Sequence, residues 1–124
     1  MSKDTQDRSG IKCRRPCRRQ APGVPCADVD KAAREVIERS GYGKYFTHRT
    51  GHGIGMEGHE DPYMRGDNMQ LLEPGMAYTV EPGIYLTGRN GVRIEDNVVI
   101  TETGAECLSD MPRDTRGWII VEDK

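Results

Sequence analysis

Apolar positions recur at helical spacing between Cys26 and Ser40. Val29, Ala33, Val36 and Ile37 form one stripe along CADVDKAAREVIERS, the period that lets a helix bury a single face. Asp28 and Asp30 fall in the expected first turn, where the helix dipole favours acids, and Gly41 is the expected stop. On this reading Arg34, Glu38 and Arg39 face water. Beyond the helix the period shortens. Tyr45 and Phe46 suit a short buried strand. Met76 to Val80 predicts another, with Tyr78 and Val80 on one face and Ala77, Thr79 and Glu81 on the other. Val92 to Thr101 is the clearest strand: Val92, Ile94, Val98 and Ile100 share one face, and Arg93, Glu95, Asn97 and Val99 the other. Ala105 to Leu108 reads as a last short strand. Asp61 to Gln70 reads as a polar loop with a turn at Arg65-Gly66-Asp67-Asn68. Further turns fall at Glu73-Pro74-Gly75, Thr87 to Gly91 and Glu102-Thr103-Gly104. One helix and several antiparallel strands make an α+β arrangement.

The two ends break this pattern. Residues 1–22 are polar and basic without apolar periodicity, so a disordered tail is expected there and a folded body over 23–121. Met111 to Arg116 reads as irregular and Trp118 to Val121 as a short apolar close. Residues 1–20 hold seven Lys/Arg against two Asp, while the remainder holds eleven against eighteen Asp/Glu. The basic end is short, lacks aromatic residues and carries no recognisable motif, so no nucleic-acid partner is expected. No apolar run approaches the roughly 20 residues that span a bilayer, and MSKDTQDRSG lacks the apolar core of a secretory signal. A cytoplasmic protein without a membrane partner is the expectation. Cys13, Cys17, Cys26 and Cys107 show no zinc-finger spacing and are expected as free thiols.

Chemistry concentrates in HRTGHGIGMEGHE, residues 48–60. His48, His52 and His59 are the only histidines of the chain, and they stand amid Gly51, Gly53, Gly55 and Gly58. Histidine is the commonest metal ligand and titrates near neutrality. The glycines argue against a regular helix here and permit close backbone approach. A metal or acid–base site and a polar surface loop both fit this stretch alone. Downstream, Glu81 ends one expected strand and Glu95 lies beside Arg93 on the face of another. Singly, each suits a solvated strand end or a surface ion pair worth at most about 1 kcal/mol. Joined to a histidine they make a borderline-hard donor set for Mn²⁺, Co²⁺, Fe²⁺ or Zn²⁺.

In order, TGHGIGMEGHE, LLEPGMAYTVEPGIY and GVRIEDNVVIT resemble the C-terminal half of the pita-bread metallopeptidases. TVEPGIY and GVRIEDNVVIT look most like the Xaa-Pro branch, aminopeptidase P and prolidase. The resemblance runs from about Gly23 to Ile120. It implies half of a pita-bread fold, with one main helix on a curved, mostly antiparallel sheet. It implies metal ligation by His52, Glu81 and Glu95, with Glu81 also shuttling the proton of the attacking water. His59 corresponds to the histidine that stabilises the tetrahedral intermediate, and His48 and Arg93 to residues lining the substrate pocket. The implied reaction is hydrolysis of the bond before proline in a peptide, assisted by two divalent ions, manganese first among them.

That family's two-ion site takes two further aspartates from a D-x-G…D strand motif, and nothing like it stands upstream of Gly23. Three ligands of five imply incomplete or weak metal binding and a chain incompetent as a peptidase by itself, a truncated piece of the whole. Half a fold also leaves a sheet edge and apolar surface to cover, for which a homodimer is one arrangement. A non-catalytic binding module, or a creatinase-like hydrolase acting without metal, stand as alternatives. Retention of His52, Glu81 and Glu95 together speaks against the latter.

Overall fold

A computed structural model describes residues 20–109. Of the expected tail over 1–22, residues 1–19, with Cys13 and Cys17, lie outside the described residues, as does the closing segment beyond Ser109, whereas Gln20 is buried against the fold. The helix α1 spans Cys26–Arg39. No side chain caps its start. The carbonyls of Gln70 and Asn68 instead accept from the N–H groups of Cys26 and Ala27, both at 2.8 Å, which satisfies two of the donors a helix start leaves open. Its end closes as the sequence anticipates. Gly41 has φ +87° and donates to Glu38, while Tyr42 donates to Ile37, the paired bonds of a Schellman ending.

Seven strands follow: β1 (Gly51–Gly53), β2 (Glu60–Met64), β3 (Ala77–Val80), β4 (Gly83–Leu86), β5 (Asn90–Arg93), β6 (Asp96–Ile100) and β7 (Ala105–Cys107). Five of them form an antiparallel sheet in the order β2-β1-β3-β6-β7, and β4 and β5 form a separate two-stranded ribbon. The core lies where α1 meets the large sheet. Cys26 and Val29 from the helix pack with Met64, Leu72, Tyr78, Val80, Val98 and Ile100. Tyr78 is fully enclosed, and its hydroxyl donates to the buried Gln20. One helix against a mostly antiparallel sheet is the α+β architecture the sequence pattern predicts.

Four local expectations change. Residues 43–45 form a 3-10 turn rather than a strand, and Phe46 behind it is buried. The expected loop after Asp61 begins inside β2, because Met64 pairs with Gly51 across from β1. The long strand over 92–101 is two strands belonging to different sheets. Val98 and Ile100 of β6 are buried, but Val92 of β5 is 47% exposed, so the four apolar residues do not share one buried face. Finally, Arg34 is half-buried instead of standing free in water. It pairs with the buried Asp30 at 3.0 Å.

Candidate metal centre

Strand β1 carries its histidine between two glycines for a steric reason. A Cβ on Gly51 would stand 1.7 Å from the Thr79 carbonyl oxygen, and one on Gly53 would stand 2.1 Å from that of Asp61. Only glycine lets β1 lie this close to its neighbours on both sides. His52 is thereby drawn into the sheet, 8% exposed. Its backbone N–H donates to the Thr79 hydroxyl at 3.1 Å. Its Nδ1 lies 2.8 Å from the Gly53 carbonyl oxygen. A carbonyl only accepts, so Nδ1 is a donor there and Nε2 is the nitrogen that would face a metal.

Nε2 faces Glu81. The Glu81 Oε2 atom is 3.7 Å away, and the backbone at this point is held tightly. Glu81 follows the last residue of β3, and its N–H donates to the Thr50 carbonyl at 2.6 Å. Glu95 arrives from the short connection between β5 and β6. Among the described residues, His52, Glu81 and Glu95 form a group whose ligand atoms all lie within 4.8 Å of one another. Partial withdrawal from water raises the Glu95 pKa above the ordinary carboxylate range. The Glu81 charge and a shared hydrogen bond with Glu81 add to the rise, and Arg93 and His52 oppose it. A carboxyl group that retains its proton donates to its neighbour here, and a cation between the two would relieve the same repulsion. One imidazole nitrogen and two carboxylates fit a divalent ion of the borderline-hard kind.

The remaining site residues occupy two other positions. His59 closes the exposed 54–59 loop and packs edge-on against His52, with ring centroids 4.3 Å apart at 81°. His48 stands apart from this group. Its Nδ1 is 2.6 Å from the Arg49 carbonyl oxygen and its Nε2 is 2.7 Å from the Tyr85 hydroxyl. In the neutral ring, Nδ1 donates and Nε2 accepts, so both polar edges are engaged. Phe46 packs edge-on at 5.2 Å and Tyr85 at 5.4 Å, giving an aromatic wall. Arg93 ends the exposed β5, and its charge acts on Glu95. An open depression of about 520 Å³ lies on the His48 side, bordered by Phe46, His48, Arg49 and Arg65. His52, Glu81 and Glu95 do not line it.

Sequence reasoning overlooked Tyr85, Thr50, Asp30 and Arg34. Asp30 and Arg34 left a readable trace. They stand four apart on a helix and interleave with Val29, Ala33 and Ile37 on the buried stripe, where a charged pair needs a partner.

Comparison with known proteins agrees with this picture over most of the chain. The family model described as "Metallopeptidase family M24" matches residues 11–102. "Probable dipeptidase PepE" of Mycobacterium tuberculosis (strain ATCC 25618 / H37Rv) is 52% identical over 93 residues, 75% of this chain and 25% of the relative. Among solved structures, prolidase from Pyrococcus furiosus superposes with a TM-score of 0.76 at 45% identity, covering 79% of this chain and 29% of that one. The X-Pro aminopeptidase from Thermotoga maritima MSB8 superposes with a TM-score of 0.77, also at 45% identity, covering 81% and 28%. The chain thus spans about a quarter of the length of the curated relatives it matches. The pita-bread fold class expected from the three motifs stands.

Proposed function

The chain belongs to metallopeptidase family M24, and we propose that it forms one face of a metallopeptidase active site cleaving the bond before proline. The observation that carries this reading is the convergence of His52, Glu81 and Glu95 donor atoms within 4.8 Å. These three residues would hold a divalent ion, with manganese first and cobalt, zinc or iron as substitutes. Such an ion supplies Lewis acidity toward the scissile carbonyl and the attacking water.

The chain's own groups divide the remaining work. Glu81 takes the proton of the attacking water and returns it to the leaving nitrogen. His59, held edge-on against His52, donates toward the carbonyl oxygen as negative charge develops there. His48, Phe46 and Tyr85 offer aromatic surface for an apolar ring, and Arg93 offers charge beside it. The reading has two ions in the whole protein, a peptide substrate with proline after the scissile bond, no nucleic-acid or membrane partner, and a cytoplasmic setting. A homodimer is one arrangement that would bring further cover to this side of the site. Three of the five implied ligands lie in this chain, so by itself it holds metal weakly and turns over slowly.

A second reading is a dipeptidase of broader specificity, since the mycobacterial relative's printed name, probable dipeptidase, names no residue preference. Calorimetric titration of the purified chain with Mn²⁺, beside hydrolysis of Xaa-Pro and Xaa-Ala dipeptides, separates the possibilities. The expected result is weak Mn²⁺ binding lost in Glu95→Ala, with slow cleavage favouring Xaa-Pro. Equal cleavage of Xaa-Ala supports the second reading. Binding that survives both His52→Ala and Glu95→Ala would sink the metal assignment.

A further inference from the structure

The strongest polar assembly outside the three ligands is centred on α1. Asp30 is 3% exposed, yet it is held by bonds on both oxygens. Oδ2 accepts from Arg34 Nε at 3.0 Å. Oδ1 accepts from Arg34 Nη2 at 3.1 Å, from the Thr50 N–H at 3.1 Å and from the Thr50 hydroxyl at 2.8 Å. Arg34 makes four hydrogen bonds, two of them to Asp30. Its Nη1 donates to the Phe46 carbonyl at 3.0 Å and its Nη2 to the His48 carbonyl at 2.9 Å. The pair therefore grips residues 46–50, the segment that enters β1.

Thr50 links this grip to the ligands. It is fully buried and stands two residues before His52. Its N–H is shared between Asp30 and the Met64 carbonyl, and its carbonyl accepts the Glu81 N–H at 2.6 Å. A single residue thus stands between a buried carboxylate and the backbone of Glu81. The backbone of one candidate ligand is bonded to Thr50, and that of another is joined to it through Gly51.

We propose that Asp30 is a positioning residue for the metal centre, fixing Glu81 through Thr50 while Arg34 fixes the entry to β1. The assignment of metal to Glu81 rests on the function proposed above; the mechanical link does not. Asp30 acts through the Thr50 backbone and hydroxyl. It sets where the Glu81 backbone lies, and so where its carboxylate can meet His52 and Glu95. Groups that orient metal ligands from behind typically change metal affinity by about 10–100-fold when altered.

The test uses the ¹⁵N-labelled full chain and two readouts. The first is hydrogen exchange at the Glu81 amide, which needs no metal. The second is the dissociation constant for Co²⁺, followed by its absorption bands. In Asp30→Asn and in Thr50→Val, exchange at Glu81 should quicken by about tenfold or more while amides of β6 and β7 keep their protection, as local opening demands. Co²⁺ binding should weaken about tenfold. Thr50→Ser, which keeps the hydroxyl, should restore both. Unchanged exchange at Glu81 in the folded variants overturns the proposal, and so does a uniform loss of protection across the whole sheet. Should Asp30→Asn fail to fold, the Thr50→Val and Thr50→Ser pair decides. A wild-type chain that takes up no Co²⁺ overturns the metal assignment, and exchange at Glu81 then decides the link alone.

Discussion

The site is built from two unlike regions. His52 and Glu81 come from β1 and β3, inside the large sheet, with their backbones bonded to Thr79 and Thr50. Glu95 and Arg93 come from the end of the β4–β5 ribbon, where every residue of β5 is exposed. The first pair is placed by close backbone packing and a buried ion pair. The second is placed by a two-stranded ribbon, which has little independent stability. Glu95 carries the raised pKa, through partial withdrawal from water first and the neighbouring Glu81 charge second.

This contrast is broken most severely from the rigid side. In Gly51→Ala, the added methyl group meets the Thr79 carbonyl oxygen, so β1 and β3 must part. A loss of about 3 kcal/mol or more is expected, beyond the usual cost of overpacking because backbone cannot turn aside as a side chain does. Urea denaturation checks it, and a variant as stable as wild type would show that β1 does not need this close approach.

A smaller effect is expected at the aromatic wall. Tyr85→Phe removes the hydroxyl that donates to His48 Nε2 and keeps the ring. About 1 kcal/mol or less should be lost, the usual net worth of one hydrogen bond. The His48 ring nitrogen should shift in the NMR spectrum while that of His52 stays in place. A shift at both would mean that the two histidines are coupled, contrary to the separation described here.

The smallest effect carries a sign. Because folding raises the Glu95 pKa, the folded metal-free chain holds that proton more tightly than the unfolded chain. The associated stability is fully present below the unfolded value, about 4.3 for a glutamate. It fades as pH rises through the folded value. At neutral pH, Glu95→Gln should therefore leave the metal-free chain equally stable or slightly more so, within about 0.5 kcal/mol as for exposed positions. The same substitution should weaken Mn²⁺ binding. Thermal melting at pH 4.5 and 7.5 tests the sign; a variant clearly less stable at pH 7.5 contradicts it.

Much of the site was visible in the chain because its motifs combine chemistry with backbone constraint. GHG announces a histidine where the sheet admits no side chain on either flank, and EPG marks a carboxylate where a strand must stop. The helix was equally legible, since its stripe, its glycine stop and its acidic first turn agree. The misreadings share a different cause. Val92 to Ile100 alternates as one strand would, but alternation cannot reveal that the chain changes sheets at Ile94 and Glu95. Phe46 is apolar whether it ends a 3-10 turn or sits in a strand.

By itself, the sequence determined the helix and most strand-forming segments, because periodicity and turn chemistry are local properties of the chain, and its motifs carried the resemblance to the family and the expectation of His52, Glu81 and Glu95 as donors. Only the tertiary structure decided that Asp30 and Arg34 turn inward, that Tyr85 meets His48, and that Glu81 is bonded through Thr50. Those outcomes depend on which buried polar group finds which partner across 4 to 37 positions of sequence. An unpaired polar group is costly away from water, so packing selects the partners, and of these only the Asp30–Arg34 pair, four apart on the helix, leaves a local trace.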